Sequence, residues 1–133
     1  MLDICNIEPS TGTYKFPFVR HKDFFDGHSW ASGGLLPQAN GKGQESSSEA
    51  VNAYYGCYLY SEVSNMSNEH SLTMQLLLAM EVQATNVYWH MRDDSVYEHL
   101  FSMNRMVGNI GATDVTATTW FGNAVGYVHG INM

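Results

Sequence analysis

The stretch QESSSEAVNAYYGCYLYSEV, residues 44–63, decides the fold of this 133-residue chain. Ser46-x-x-Glu49 forms a capping box, in which the Ser46 hydroxyl accepts the Glu49 N–H and the Glu49 carboxylate reaches back to the Ser46 N–H. Apolar residues then recur at helical spacing, mainly on one side: Ala50, Val51, Tyr54, Tyr58 and Leu59. The pattern predicts a helix over residues 46–63.

A second helix is predicted over residues 68–91, after a polar break at residues 65–67. Its apolar side is expected to comprise Leu72, Leu76, Ala79, Met80, Val87 and Met91. Two helices joined by so short a break form an antiparallel helical hairpin. Residues 1–44 and 105–133 are rich in Gly and aromatic residues and are predicted to be loops, with a short extended pair in the second. We therefore predict an all-α chain of helical hairpins and long aromatic loops, too small a core to stand outside a larger helical body.

Composition and charge narrow the classes of partner. The chain is 44% hydrophobic, which is typical of a globular protein, and its net charge of −7 argues against nucleic acid and against an anionic membrane surface. No signal peptide is recognisable at the N-terminus, so we expect either a cytoplasmic protein or a chain without its native beginning. Cys5 and Cys57 form no metal-binding spacing, and Cys57 is predicted to be buried in the first helix. The histidines show no metal-ligand spacing either, and no metal or cofactor is expected.

Two short segments carry residues suited to chemistry. Glu45 and Glu49 are four residues apart, and paired carboxylates suit glycoside hydrolysis, although the capping box alone explains Glu49. The turn DGHSW, residues 26–30, joins an acid, a His and a Trp, and is either a sugar-binding loop or a loop with a packed Trp. A serine hydrolase is disfavoured because no serine has the G-x-S-x-G context.

Five segments, in this order and spacing, resemble glycoside hydrolase family 81, the endo-β-1,3-glucanases or laminarinases. They are FDGHSWASG (25–33), QESSSEAVNAYYG (44–56), YWHM (88–91), TWFG (119–122) and YVHGI (127–131). The resemblance extends over nearly the whole chain. It implies that residues 1–133 are part of a C-terminal catalytic domain with an (α/α)6 toroid fold. The family's N-terminal β-sandwich and the upstream segment with the catalytic acid are absent from these residues.

The resemblance also implies roles for individual residues. Glu45 matches the general base and Glu49 a second carboxylate in hydrolysis with inversion of configuration. The residues implied to contact glucan are Asp26, His28, Trp30, Asn52, Tyr55, Trp89, His90, Trp120 and His129. The family's acid is an Asp in an Asn-Asp-His-His-like motif, and the chain has no such motif.

The implied partners are β-1,3-glucan and the remainder of the catalytic domain, and the implied location of a longer parent is extracellular or in the cell wall. The alternatives are a non-catalytic glucan-binding fragment or inactive homologue, and a structural helical domain unrelated to sugar.

Overall fold

A computed structural model describes residues 4–6, 17–31, 41–93 and 95–133 of the chain. In chain order its elements are β1 (Gly43–Gln44), α1 (Ser47–Val63), α2 (Asn68–Tyr88), α3 (His99–Ser102), β2 (Asn109–Gly111), β3 (Val115–Thr116) and α4 (Val125–Ile131). None of the described helices is long and apolar enough to cross a membrane. The loop predictions for residues 7–16 and 32–40 lie outside the described residues.

The hairpin of α1 and α2 is confirmed, with bounds within three residues of the prediction. At the end of α1, Asn65 adopts a left-handed conformation with φ of 48°, and the Met66 N–H donates to the Ser61 carbonyl at 3.2 Å. This is a Schellman-type helix end, with Asn in the position that Gly more often takes. Ser67 then caps α2 by accepting the His70 N–H.

The predicted apolar side of α2 is wrong in part. Leu72 and Leu76 are more than half exposed, whereas the face packed against the rest of the chain consists of Met74, Leu77, Glu81, Ala84 and Thr85. The reason is that a buried Glu and a buried Thr interrupt the hydrophobic pattern on that face. The periodicity therefore favoured a neighbouring face.

The all-α prediction is corrected by a small sheet. Strands β1, β2 and β3 form a three-stranded antiparallel sheet in that order, with Gln44 opposite Ile110 and Ile110 opposite Val115. The extended pair predicted within residues 105–133 is thus confirmed as β2 and β3. The sheet also fastens the residue before Glu45 to a segment more than sixty residues later in the chain.

Two hydrophobic clusters support the fold. One lies between α1 and α2 and contains Cys5, Tyr54, Cys57, Met74 and Leu77, which confirms the predicted burial of Cys57. The other lies beside the sheet and contains Trp89, Met91, Met106, Val107, Ile110 and Val128. In the loop of residues 17–31, Val19 packs against the first cluster and Trp30 against the second, so the loop rests on both.

Candidate functional site

The turn at residues 23–30 is built by one carboxylate and one glycine. The Asp23 carboxylate accepts the N–H groups of Phe25 and Asp26 at 2.9 and 3.2 Å and the Trp30 indole N–H at 3.3 Å. Burial alone raises the pKa of Asp23, but these donors outweigh it and hold the pKa below its usual value. Gly27, with φ of 82°, closes the turn in a conformation that favours glycine. The turn therefore holds the Trp30 ring in one orientation.

His28 lies beneath this turn rather than on its surface. Its ring is 2% exposed, its Nδ1 is 2.9 Å from the Ser29 carbonyl, and it packs edge-on against Trp30 and Trp89 at centroid distances of 4.7 and 5.3 Å. Trp89 is fully buried, and its indole N–H has no hydrogen-bond partner in the described part of the chain. Both rings are buried and pack around Trp30, so they support its position, while their contacts with glucan stay a prediction.

A buried ion pair anchors the turn to α2. The Lys22 Nζ lies 2.8 Å from Glu81 Oε2, and both side chains are essentially inaccessible to solvent. Lys22 also donates to the Gly27 carbonyl at 2.7 Å, while Glu81 Oε1 accepts the Ser29 N–H and Oγ–H, both at 3.0 Å. Burial lowers the pKa of Lys22, although the hydrogen bond and charge of Glu81 oppose it. Sequence reasoning missed this pair, since nothing in the α2 pattern distinguishes Glu81 from a solvent-facing residue.

Gln44 links the turn to the start of α1. Its side chain is 2% exposed; Nε2 donates to the carbonyl and the hydroxyl of Ser29, both at 3.0 Å, and Oε1 accepts the Ser46 N–H at 3.1 Å. The predicted capping box is therefore half right. Ser46 Oγ does accept the Glu49 N–H, at 3.3 Å, but Gln44 rather than Glu49 accepts the Ser46 N–H. The Glu49 carboxylate is thereby free of the cap.

The other side of the α1 N-terminus is held by the last residues of the chain. Asn132 Oδ1 accepts the N–H and the hydroxyl of Ser47 at 3.1 and 3.3 Å, and its Nδ2 donates to the carbonyls of Gly108 and Val128. The Ile131 carbonyl accepts the hydroxyls of Ser46 and Ser48. The Ser47 N–H, which has no partner within the helix, is satisfied in this way, and the bonds together fix the first turn of α1.

Glu45 stands between these two sets of bonds and takes part in neither. No hydrogen bond or ion pair joins its carboxylate to any residue of the described ranges, and its side chain is half-buried. Burial raises the pKa of Glu45, and the negative charge of Glu49 one helical turn later raises it further. The hydrogen-bonded residues around Glu45, namely Gln44, Ser46, Ser47 and Asn132, are called the frame below. The Glu45 carboxylate lies within this frame and has no partner of its own in the described residues.

An open cleft of about 300 Å³ lies beside this frame, lined among others by His21, Trp30, Gln44, Glu49 and Tyr54. Trp30 also borders a second hollow that contains Asp26 and His28. The structure thus brings Trp30 and Glu49 to one cleft, whereas Glu45 is not among the residues that line it.

The other residues implied to contact glucan are spread over the surface. Asn52 and Tyr55 lie exposed on α1, Trp120 is 72% exposed in a turn, and His129 is exposed on α4. The His90 Nε2 lies 2.7 Å from the Met133 carbonyl. No group of three His, Cys, Asp or Glu residues that could hold a metal ion occurs in the described ranges.

An unpartnered carboxylate near an aromatic cleft suits a carbohydrate-active protein, and comparison with known proteins gives the family. The family model of the glycosyl hydrolase family 81 C-terminal domain matches residues 1–133, and the chain therefore belongs to that family. A primary septum glucan endo-1,3-beta-D-glucosidase of Schizosaccharomyces pombe is 34% identical over 131 residues, covering 98% of this chain and 12% of the relative. A glucan endo-1,3-beta-D-glucosidase of Acetivibrio thermocellus is 40% identical over 88 residues, covering 66% of this chain and 11% of the relative.

The fold has a close counterpart among solved structures. A mutant of a family 81 glycoside hydrolase from Clostridium thermocellum superimposes with a TM-score of 0.84 at 30% identity, over 98% of this chain and 18% of that one. The chain thus spans about an eighth of the length of the two curated relatives.

Proposed function

We propose that this chain supplies the general-base side of the active centre of an endo-β-1,3-glucanase that cleaves laminarin-type glucan with inversion. In this proposal residues 1–133 are a segment of a larger (α/α)6 catalytic domain, and the longer protein that contains them is referred to below as the parent protein. Glu45 deprotonates the water that attacks the anomeric carbon, while an acid contributed by the rest of the domain protonates the leaving oxygen. Glu49 is the second carboxylate.

The observation that carries the proposal is the contrast between Glu45 and its neighbours. Gln44 and Ser46 are buried and fully bonded, whereas the Glu45 carboxylate between them has no hydrogen-bond partner in the described structure. A carboxylate held in place but left free can accept a proton from water. Its raised pKa also makes it a stronger base than an ordinary Glu.

The cleft beside Glu49 is the proposed binding site for glucan. The partly exposed Trp30 ring lines it, and the Lys42 amino group lies 5.5 Å from the centroid of that ring. A flat ring suits the apolar face of a glucose unit, and charged groups around it can bind hydroxyls. We propose that Trp30 stacks on glucan and that Asp26, at the neighbouring hollow, binds hydroxyl groups.

The direct test is laminarin hydrolysis by the parent protein, with the anomeric form of the first products followed by NMR. Inversion yields the α-anomer first from a β-linked substrate, and a β-anomer would contradict it. The 133-residue chain alone is expected to release no reducing ends, because the acid lies elsewhere in the domain. Robust turnover by the chain alone would overturn that division of roles.

A non-catalytic glucan-binding protein is the second candidate, and the observation that favours it is that Glu45 does not line the cleft bordered by Trp30 and Glu49. Under this alternative the parent protein would be retained on insoluble β-1,3-glucan without releasing reducing ends. Retention together with hydrolysis would decide for the enzyme.

The raised pKa of Glu45 gives a prediction on stability. Because the folded state holds this proton more tightly than the unfolded state, the contribution of Glu45 to stability falls as pH rises from about 4 through the folded pKa. Glu45→Gln is therefore expected to be as stable as the wild type or more stable at neutral pH. The gain should be no more than about 1 kcal/mol, since water screens a half-exposed carboxylate.

The difference in stability between Glu45→Gln and the wild type is measured by thermal midpoints of the parent protein between pH 3 and pH 7. This range spans the usual Glu pKa of about 4.3. The gain should vanish below about pH 4. Glu62→Gln, at an exposed position near the other end of α1, is the matched control for the loss of one negative charge. A clear loss of stability in Glu45→Gln at neutral pH would contradict the prediction that the ionised Glu45 carboxylate destabilises the folded state.

A further inference from the structure

One buried amide spans the two sides of Glu45. Gln44 precedes Glu45 and Ser46 follows it, and the Gln44 side chain folds across so that its Oε1 accepts the Ser46 N–H at 3.1 Å. The backbone of Gln44 is paired with Ile110 in the sheet. Both peptide links of Glu45 are therefore fixed by a neighbour, although the Glu45 side chain itself is unbonded in the described structure.

The amide is itself anchored in the core. Its Nε2 makes two 3.0 Å hydrogen bonds to Ser29, and Ser29 donates both its N–H and its hydroxyl to Glu81. Glu81 is paired with Lys22 at 2.8 Å. The Gln44 amide thus couples the position of Glu45 to Ser29, within the turn that carries Trp30, and through Ser29 to Glu81 and Lys22.

We infer that Gln44 is a positioning residue: it sets the place of the Glu45 carboxylate relative to the Trp30 cleft. The inference rests on the proposed function of Glu45. Positioning has a large effect in catalysis, because a misplacement of about 1 Å at a reacting group can cost about a hundredfold in rate. Gln44 has the burial, the full set of bonds and the adjacency that such control needs.

A purely structural role for Gln44 predicts something different. If its amide only satisfies buried donors and acceptors, its loss lowers stability and leaves the turnover of the folded enzyme unchanged. A positioning role predicts a fall in kcat at a KM that changes little, because Gln44 borders the cleft but is only 2% exposed, with its amide bonded to Ser29 and Ser46.

The variant that separates the two is Gln44→Met in the parent protein, which keeps the length and burial of the side chain but removes its hydrogen bonds. We expect kcat on laminarin to fall between about tenfold and a hundredfold, with KM within about twofold of the wild type. Ser61→Ala is the matched control. It removes a buried α1 hydroxyl that donates to the Tyr58 carbonyl and accepts the Ser71 hydroxyl of α2, about 21 Å along the axis from the α1 start, and should leave both constants unchanged.

Ser29→Ala is a milder variant, which keeps the carbonyl bond to Gln44 and loses only the hydroxyl bonds. It is expected to lower kcat by less than Gln44→Met and in the same direction, and it keeps the test open if Gln44→Met does not fold. An unchanged kcat in both variants overturns the inference, as does an equal loss of kcat in Ser61→Ala.

The variant Glu45→Gln, made alongside, separates the positioning role of Gln44 from the proposed function of Glu45. If it abolishes hydrolysis while Gln44→Met and Ser29→Ala leave kcat unchanged, the positioning role fails and the proposed function stands. If Glu45→Gln retains near-normal rates, the proposed function itself fails.

Discussion

Glu45→Gln in the parent protein is expected to lower kcat for laminarin by at least about a hundredfold while leaving retention on insoluble β-1,3-glucan intact. The substitution keeps the size of the side chain and removes its ability to take a proton from water, which is worth about 10²–10⁴ in rate for a general base. Since the carboxylate has no hydrogen-bond partner in the described residues, its loss disturbs no contact of the frame. Reducing-end release and glucan pull-down measure the two properties, and near-normal turnover would contradict the base role.

Glu49→Gln provides the accompanying measurement. Because Gln44 and not Glu49 accepts the Ser46 N–H, this substitution leaves the helix cap in place. Burial is the main cause of the raised pKa of Glu45, and the charge of Glu49 is the second. Removing that charge lowers the pKa of Glu45, so the acidic limb of the pH–rate profile should move to lower pH. A limb that stays in place would mean that the two carboxylates do not interact in the active enzyme.

Glu81→Leu is expected to destabilise the region around α2 by about 3–5 kcal/mol, because it leaves the Lys22 ammonium buried without its partner. Ser29 loses its two acceptor contacts in the same variant. The double variant Lys22→Met/Glu81→Leu should be far less destabilised than the sum of the single variants, since it removes both buried charges together. Hydrogen exchange of the α2 amides in the parent protein measures this local stability.

The exposed ion pair between Arg105 and Asp93 is the natural control for this experiment. Its atoms are 3.2 Å apart, but both side chains are largely in solvent, so Asp93→Asn should cost less than about 1 kcal/mol. Additive effects in the Lys22 and Glu81 variants would contradict a coupled pair. If Asp93→Asn destabilised the protein as much as Glu81→Leu, burial would not be the reason for the large contribution of the Lys22–Glu81 pair to stability.

Local signals in the sequence were enough for the helical hairpin and for the Ser46 cap. The α1 pattern, its capping Ser and the polar break before Ser67 are all read within a few residues of one another, and helices follow from such short-range chemistry. The same reasoning identified Glu45, Glu49 and the turn of residues 26–30 as the segments that carry chemistry, and the structure brings Trp30 and Glu49 to one cleft.

What could not be read from the sequence depends on partners far apart along the chain. Strand β1 is two residues long, too short for any periodicity, and exists because Ile110 pairs with Gln44. Glu81 and Asn132 look like ordinary surface residues until Lys22 and Ser47 are placed beside them. His28 and Trp89 were assigned to glucan contacts by resemblance, and their burial follows from packing that no local pattern shows.

The bond between Ser47 and Asn132 has a consequence for synthesis, because the two residues are 85 positions apart. At ribosomal rates of about 5–20 residues per second, Asn132 follows Ser47 after roughly 4–17 s. The hairpin of α1 and α2 depends on local contacts and can form within that interval. The first turn of α1 gains this bond only after Asn132 has been synthesised. The bonds that Ser46 and Ser47, just after Glu45, make to Ile131 and Asn132 are therefore added to a hairpin that has already formed.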